Sequence, residues 1–501
     1  MSGRFVMGID IGSGACKITL FKIGGSFSAT YAMEYETLYP KPGWAEQDSR
    51  QWINCAGLLI NKALRENNIS RKDVEAIALS GVTHSPVLLD KELNPLGNVI
   101  HITDSRSASQ TEELKEYNEL FLKLNFNPVS PMWTISMLKW IKENEPEKFK
   151  KIKVIVFPKD FVRLKLTGRA ATDSIDAEGT LLFDTLNKKW STDLTEIINL
   201  NHGCLPEILN PLDIAGKVTK EGSLLSGLME GTPVVTGTTD TLLEIMAAGN
   251  LKKGECTVKL ATFGRACILS DKPVPYEGII NYSYIIPGLW YPGTGTKSCA
   301  SSYRWLRDEF FKDYENKMTA FKKMDKDAGL INSGSEGLIF HPYLLGEGSP
   351  YNDSKLRGDF LGLTLHHKRE NLARAVLEGT CFSLKDSIDF MEKKGLKAKG
   401  KYKIIGGGSK SSLWTGILAD VLAKKCLIPA STDASYGAAM LAAVAINAYS
   451  SVEDAIKINE AYKQQIGFSI ENHNKYKKLF KIYKKSKEFL TNINHELCEF
   501  N

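Results

Sequence analysis

Two stretches built to one plan constrain this chain more than anything else in it. Residues 5–21, FVMGIDIGSGACKITLF, read as an apolar strand, a turn of small and polar residues, and a second strand running straight back. Residues 257–268, TVKLATFGRACI, repeat the form, with Ala261, Thr262 and Gly264 where Gly12, Ser13 and Gly14 stand in the first. A spacing of about 250 residues between two such units is the mark of two related domains in one chain. Glycines in a turn of this kind let backbone N–H groups converge on phosphate oxygens. Asp10 closes the first strand, where a carboxylate can orient a metal ion or its water, and Lys17 follows on the returning strand. A Gly-rich hairpin is also simply a hairpin, and taken alone the first is explained that way as well.

The rest of the chain alternates strand and helix patterns, which reads as α/β. At 501 residues it exceeds what one core supports, so two large domains or three smaller ones are expected. With 43% hydrophobic and 24% charged residues it is globular rather than fibrous or disordered. No apolar run reaches the ~18 residues a membrane helix needs, and the first residues carry no secretory pattern. Nine scattered cysteines without a Cys-x-x-Cys pair fit reduced thiols and a cytoplasmic location. The net charge of +6 concentrates in KYKKLFKIYKKSKEF from Lys475. There Tyr476, Leu479, Phe480, Tyr483 and Leu490 repeat at helical spacing, so a packed terminal helix with a solvated lysine face is expected, rather than a nucleic-acid or membrane surface.

Several loops carry further candidates. PKPGWAEQD, residues 40–48, holds Trp44 with polar groups beside it. His84 lies just past a strand at 76–79, the end of an open α/β sheet where ligands gather, although a lone histidine there is more often structural. Asp104 and Arg106, two apart, form either an ion pair or hydrogen-bonding groups for a polyhydroxylated ligand. Lys159 and Asp160 close a strand at 154–157, and Thr172, Asp173 and Asp176 form a polar loop. In PVVTGTTD, residues 233–240, Val234 and Val235 end a strand, Gly237 turns, and Asp240 opens a helix. A carboxylate there either offsets the unpaired N–H groups of the helix start or acts as a general base, and spacing does not choose between them. PGTGTKS, residues 292–298, fails as a nucleotide loop because Thr296 stands where glycine must precede the lysine. In YKIIGGGSKSSLW, residues 402–414, Gly406, Gly407 and Gly408 turn a strand into a helix and clear side chains where a flat ligand or phosphate approaches.

These motifs together resemble the FGGY carbohydrate kinases over essentially the whole chain, the xylulose-phosphorylating branch most closely. The resemblance is carried by GIDIGSGACK from Gly8, GWAEQD from Gly43, the His84 strand end, Asp104 with Arg106, PKDFVRLKLTG from Pro158 and GTTD from Gly237. It continues with GDFLGLTLHHKRENLARAVLEG from Gly358, IIGGGSKSSLW from Ile404 and YGAAMLA from Tyr436. It implies an α/β fold of two actin-like (ribonuclease H-like) ATPase domains with an interdomain cleft. Residues 1–249 would hold the sugar side, the first phosphate loop and the catalytic Asp, and residues 250–501 the second phosphate loop and the adenosine site. The implied activity is ATP-dependent phosphorylation of a hydroxyl of a small sugar, D-xylulose first, with ribulose, gluconate or a polyol as alternatives, and Mg2+ as the metal. ATP and the sugar are the implied partners, and a homodimer is the assembly to test.

By resemblance, Asp240 is the base that takes the proton of the attacking hydroxyl. Asp10 serves the magnesium, Gly12, Ser13 and Lys17 the phosphates, Thr262 and Gly264 the second phosphate loop, and Gly406, Gly407 and Gly408 the adenosine. Thr83 and His84 face the sugar, with Trp44, Asp104 and Arg106 beside them. The chain departs from the pattern at Ala261-Thr262-Phe263, usually Gly-Thr-Ser or Gly-Thr-Thr, and at Met137, usually Lys. It departs again at Val82-Thr83 before His84, usually Gln-Met, at Ile102, usually Trp, and at Gly348, usually Arg. Phe263, Met137 and Gly348 keep open a sugar- or nucleotide-binding protein without catalysis, and an actin- or chaperone-like ATPase shares the scaffold.

Overall fold

The computed structural model describes residues 3–25, 27–314 and 317–500. β1 (Phe5–Ile11) is buried at every position, as a strand covered on both faces must be, and this explains its nearly unbroken apolar sequence. It pairs antiparallel with β2 (Ala15–Lys22), which pairs antiparallel with β3 (Ser28–Glu34), an edge strand whose burial alternates residue by residue. After α1 (Ser49–Glu66) comes β4 (Val74–Gly81), parallel to β1 on its other side. Then follow α2 (Pro158–Thr167), β5 (Ile214–Lys217), β6 (Pro233–Thr239) and α3 (Asp240–Ala247). The sheet order is β5-β6-β4-β1-β2-β3, with β6 parallel to β4 and β5 antiparallel to β6.

The second half contains β7 (Cys256–Leu260), β8 (Gly264–Ile268), β9 (Gly293–Thr296), α4 (Ala300–Phe310), α5 (Arg369–Lys393) and β10 (Tyr402–Ile405). It continues with α6 (Ser412–Leu422), β11 (Cys426–Pro429), α7 (Ala434–Ala445), β12 (Tyr462–Ile466) and α8 (Ile470–Leu497). Its sheet order is β12-β11-β10-β7-β8-β9. Position by position the two sheets share one run of pairings: antiparallel at one edge, two parallel, then two antiparallel. The internal duplication read from two hairpins is thus a duplication of whole sheets. Each sheet has its own apolar core, one built around Ile9, Leu59 and Leu79, the other around Val258, Leu377 and Leu418.

Chain contacts divide the molecule into Met1–Leu251, Tyr282–Leu289 and Ser431–Glu460 as one unit, and Lys252–Asn281, Trp290–Ala430 and Ala461–Asn501 as the other. A single cut at 249/250 therefore misses two returns to the first unit. Tyr282–Leu289 is held there by Glu178, whose carboxylate accepts the Ser283 N–H at 2.8 Å and its hydroxyl at 2.6 Å. The second return is α7, which lies directly on β1 because Gly8 has no side chain. A Cβ at Gly8 would stand 1.9 Å from the Ser435 carbonyl oxygen and 2.4 Å from the Ala439 nitrogen. Gly8→Ala must move a helix backbone, and an overpacking loss of about 3 kcal/mol is expected in chemical denaturation. Wild-type stability of that variant would show that α7 is not fixed at this contact.

Two local readings are corrected. Lys159 and Asp160 are not strand residues but the first turn of α2, where Pro158 is suited to start a helix. Thr172, Asp173 and Asp176 do not form a loop: they lie in a short strand, Ala171–Asp173, and a short helix, Ser174–Glu178, all buried. The terminal helix α8 packs through Tyr476, Phe480 and Tyr483 as its spacing predicts. All nine cysteines are free thiols. Among the described residues no helix is long and apolar enough to cross a membrane.

Candidate active site

The C-terminal ends of β1, β4 and β6 bring one row of polar residues together across the first sheet. Lys17 stands opposite Asp10, Asp10 opposite Ser80, and Ser80 opposite Thr238. The Ser80 hydroxyl donates to Asp10 Oδ1 at 2.8 Å. Asp10 is 4% exposed. Burial, then the charges of Asp240 and Asp433, push its carboxyl up to about 8, against the opposing pull of Lys17 and Ser80. Lys17 itself is ion-paired to Asp433 at 2.7 Å, and Asp433 caps α7 by accepting the Ser435 N–H at 3.0 Å. The negative charge that Asp240 and Asp433 direct at Asp10 makes this sheet end a place where a divalent cation is favoured.

The donor set suits Mg2+ held in its usual manner, by one or two carboxylates with the shell completed by water and phosphate oxygens. Among the described residues no three His, Cys, Asp or Glu side chains form a metal cage, so Asp10 would be the principal protein ligand. When bound with a nucleotide, such an ion supplies charge neutralisation on the phosphates.

The turn after β1 is held from behind. Tyr35 donates its hydroxyl to the Gly12 carbonyl and its N–H to that of Gly14 at 3.2 Å. The Ser13 carbonyl accepts from Gln47 Nε2 at 2.7 Å and from His101 Nε2 at 3.0 Å. Gly12 N–H closes the turn onto Ala15. The N–H groups of Ser13 and Gly14 meet no acceptor among the described residues, and a Cβ on Gly14 would meet nothing. Carbonyls tied inward and amides left outward give the turn the polarity of an anion site.

The turn between β7 and β8 is tied in the same way. The start of α4 takes its carbonyls: Ala300 N–H donates to Ala261 at 2.8 Å, Cys299 N–H to Thr262 at 3.1 Å, and the Ser301 hydroxyl to Thr262 at 2.8 Å. The amides of Thr262 and Phe263 meet no acceptor among the described residues. Phe263 is 46% exposed beside them. Gly264, expected to line a phosphate, is instead a packing glycine: its Cβ would lie 2.8 Å from Thr296 Cγ2 and 3.1 Å from Cys299 Cβ. The triple-glycine turn divides similarly. Gly406, at φ 86°, would clash with the Leu260 carbonyl at 2.6 Å, and Gly408 with Leu260 and the Trp414 ring. Only Gly407 faces open space.

Asp240 is aimed by a break in β6. The register against β4 shifts between Val235 and Thr238, and Gly237 there has φ 74° with its Cβ position 1.7 Å from the Leu79 carbonyl oxygen. No other residue type fits that bulge. Asp240 then begins α3, with Oδ1 accepting the Thr241 N–H at 2.5 Å. Its Oδ2 meets no donor among the described residues. The helix-start and general-base readings are therefore compatible, one on each oxygen.

The expected sugar-side residues behave less uniformly. His84 Nδ1–H donates to the Gly179 carbonyl at 2.7 Å, leaving Nε2 to accept from the Tyr282 hydroxyl at 3.2 Å, while the ring stands edge-on to Trp133. With both ring nitrogens engaged and φ at 74°, His84 is a fixed brace rather than a free ligand group. Its neighbour Thr83 has a hydroxyl without a partner among the described residues. Asp104 and Arg106 are likewise spent internally. Arg106 forks onto Asp104 and reaches Glu46 at 2.9 Å, lies 3.7 Å from the Trp44 ring centroid, and is 2% exposed. Asp104 also accepts the Ala45 N–H at 2.6 Å. The pair is neither a surface ion pair nor an open sugar clamp. It holds the Trp44 loop, leaving half-buried Trp44 as that loop's candidate contact.

Two departures from the family pattern also find a place. Met137 is a core residue of the helix Thr134–Asn144, and Gly348 sits where a Cβ would lie 3.0 Å from the Gly295 carbonyl oxygen, so an arginine there requires that neighbour to give by a few tenths of an ångström. Tyr35, Ser80, His101 and Asp433 escape the sequence reading, and Gln47 enters it only as a polar neighbour of Trp44. Each acts across a long sequence separation, and no local pattern announces such a bond.

The profile of the FGGY family of carbohydrate kinases, N-terminal domain, matches residues 5–247, and that of its C-terminal domain matches residues 264–446. The chain is 30% identical to the xylulose kinase of Lactococcus lactis over 99% of both proteins. It is 26% identical to the gluconokinase of Bacillus subtilis over 90% of both. The crystal structure of xylulose kinase from Rhodospirillum rubrum superposes with a TM-score of 0.88 at 26% identity, covering 98% of this chain and all of that one. The shared strand order, the paired turns and these matches lead to one conclusion: the chain belongs to the FGGY family of carbohydrate kinases.

Proposed function

We propose that this kinase transfers the γ-phosphoryl group of ATP to a hydroxyl of a small ketose, D-xylulose first, with Asp240 as general base and Mg2+ on Asp10. The observation that carries the reading is the Asp240 carboxylate, one oxygen anchored by its own helix and the other without a donor among the described residues, beside the Asp10 carboxylate whose charge it opposes. Phosphoryl transfer asks mainly for positioning and charge neutralisation, so one aligned base, a cation and outward-facing amides are sufficient equipment. The turns at Gly12–Gly14 and Ala261–Phe263 are assigned to the phosphates, Gly407 to the nucleotide, and Thr83 and Trp44 to the sugar. The likeness to xylulose kinases along nearly the full chain supports the pentulose.

The same chemistry on gluconate or another polyol is the second reading. It is favoured by Val82-Thr83 and Ile102, which depart from the xylulose-branch pattern, and by the gluconokinase relative. An ADP-release assay with D-xylulose, ribulose, gluconate and glycerol decides between them. Highest kcat/KM with D-xylulose is expected; a higher value with gluconate moves the assignment, and no stimulation above the ATPase background by any acceptor overturns the kinase reading in favour of a binding protein.

A further inference from the structure

Behind β6 lies a cluster of five charged side chains with no solvent exposure at all: Lys159, Asp160, Arg163, Asp173 and Asp176. Lys159 Nζ contacts Asp160 at 2.5 Å, Asp173 at 2.8 Å and Asp176 at 3.1 Å, and Arg163 contacts Asp160 at 2.9 Å. Burying ions on this scale does not stabilise a fold better than apolar residues of the same volume would. Its connections show what the cluster holds. The Thr238 hydroxyl donates to Asp173 Oδ1 at 2.9 Å, and Arg163 Nη1 donates to the Thr236 carbonyl at 2.7 Å. Thr236 and Thr238 flank Gly237, where β6 loses its regular pairing with β4. The bulge that aims Asp240 gives up ladder geometry, and the ion cluster re-anchors the strand on both sides of the break.

The anchor is itself rigid. Asp173 Oδ1 also accepts the N–H groups of Ile175 and Asp176 at 3.0 and 3.1 Å, capping the short helix Ser174–Glu178. Lys159 is seated against Gly81, whose Cβ would lie 3.0 Å from the Lys159 Cβ, so the cluster is registered on β4 one residue beyond Ser80, the partner of Asp10. Burial pushes the Asp176 carboxyl well above the usual carboxylate range, against the pull of Lys159.

We propose that Thr238, Asp173 and Lys159 are positioning residues that fix the strand end carrying Asp240 against the strand pair carrying Asp10. The inference rests on the reading of Asp240 as the base. Misplacing a reacting group by about an ångström can cost up to about 100-fold in rate without loss of binding. The test is Thr238→Val, which keeps the shape and β-branching and removes only the hydroxyl, assayed on the full chain with MgATP and the acceptor giving turnover, D-xylulose first. A kcat reduced by about 10- to 100-fold is expected, with both KM values and the melting temperature near wild type and with Thr238→Ser restoring turnover.

Wild-type kcat in Thr238→Val, or a loss confined to KM, overturns the inference. Should the valine variant melt below the assay temperature, Asp173→Asn is measured instead. Asn keeps an oxygen for Thr238, Ile175 and Asp176 but loses the charge facing Lys159, and a wild-type kcat there overturns the role of the ion cluster. Asp240→Asn, assayed alongside, separates the two claims. If it is inactive while Thr238→Val is normal, the base reading stands and the positioning inference fails; if it is active, the base reading fails first.

Discussion

Asp240→Ala is expected to lower kcat by roughly 10²- to 10⁴-fold, the contribution of a positioned general base, while ATP binds with nearly wild-type affinity. The asymmetry follows from the two carboxylate oxygens. Oδ1 is fixed by the Thr241 N–H, so the side chain is oriented before any substrate arrives, and Oδ2 has no competing donor among the described residues. The same residue has a structural duty, since a negative charge at the first position of α3 offsets the helix dipole. That duty is worth only about 0.3–1 kcal/mol at a partly exposed position, so the variant folds. Loss of turnover with little loss of stability is the signature that separates the base from a helix-start residue. Calorimetry with ATP and ADP-release kinetics measure the two sides, and a kcat within tenfold of wild type would leave Asp240 with its helix role alone.

How much of this was legible in the sequence depends on how far each feature reaches along the chain. The strand–turn–strand at Asp10, the Gly237 turn into Asp240 and the strand–glycine–helix at Ile404 are local, and their residues specify them without help. Their glycines were harder to apportion. Gly264, Gly406 and Gly408 are demanded by Thr296, Leu260 and Trp414, contacts invisible in a single sequence, while Gly14 and Gly407 open onto free space. The return of α7 to the first unit depends on Gly8 meeting Ser435, more than four hundred residues later in the chain on the order of its full length. Charged residues are almost never fully buried unless paired, so Lys159, Asp173 and Asp176 read naturally as strand end and loop. Asp104 and Arg106 were seen as a pair, but that Trp44 and Trp140 would enclose the guanidinium was not.

Asp10→Asn is expected to reduce phosphoryl transfer by at least about 10³-fold, because it removes the carboxylate proposed to hold the metal and the charge it offers a cation. Asparagine keeps an Oδ1 for the Ser80 hydroxyl, so the local hydrogen bond survives. Its stability is expected to move the other way. Burial and the charges of Asp240 and Asp433 hold the Asp10 carboxyl up at about 8, above the ordinary value of 3.8 that it regains on unfolding. A carboxyl raised on folding contributes stability that is complete below the unfolded value and is lost as pH rises through the folded one. Without Mg2+, wild type should therefore lose stability relative to Asp10→Asn between about pH 4 and 8. At a fixed nucleotide concentration, added Mg2+ should raise the melting temperature of wild type further and that of the variant little, since only the wild-type native state gains a bound ion. A modest loss of turnover, or equal thermal shifts with Mg2+ in both proteins, would show that the metal is held elsewhere and that Asp10 is a structural residue of the first hairpin.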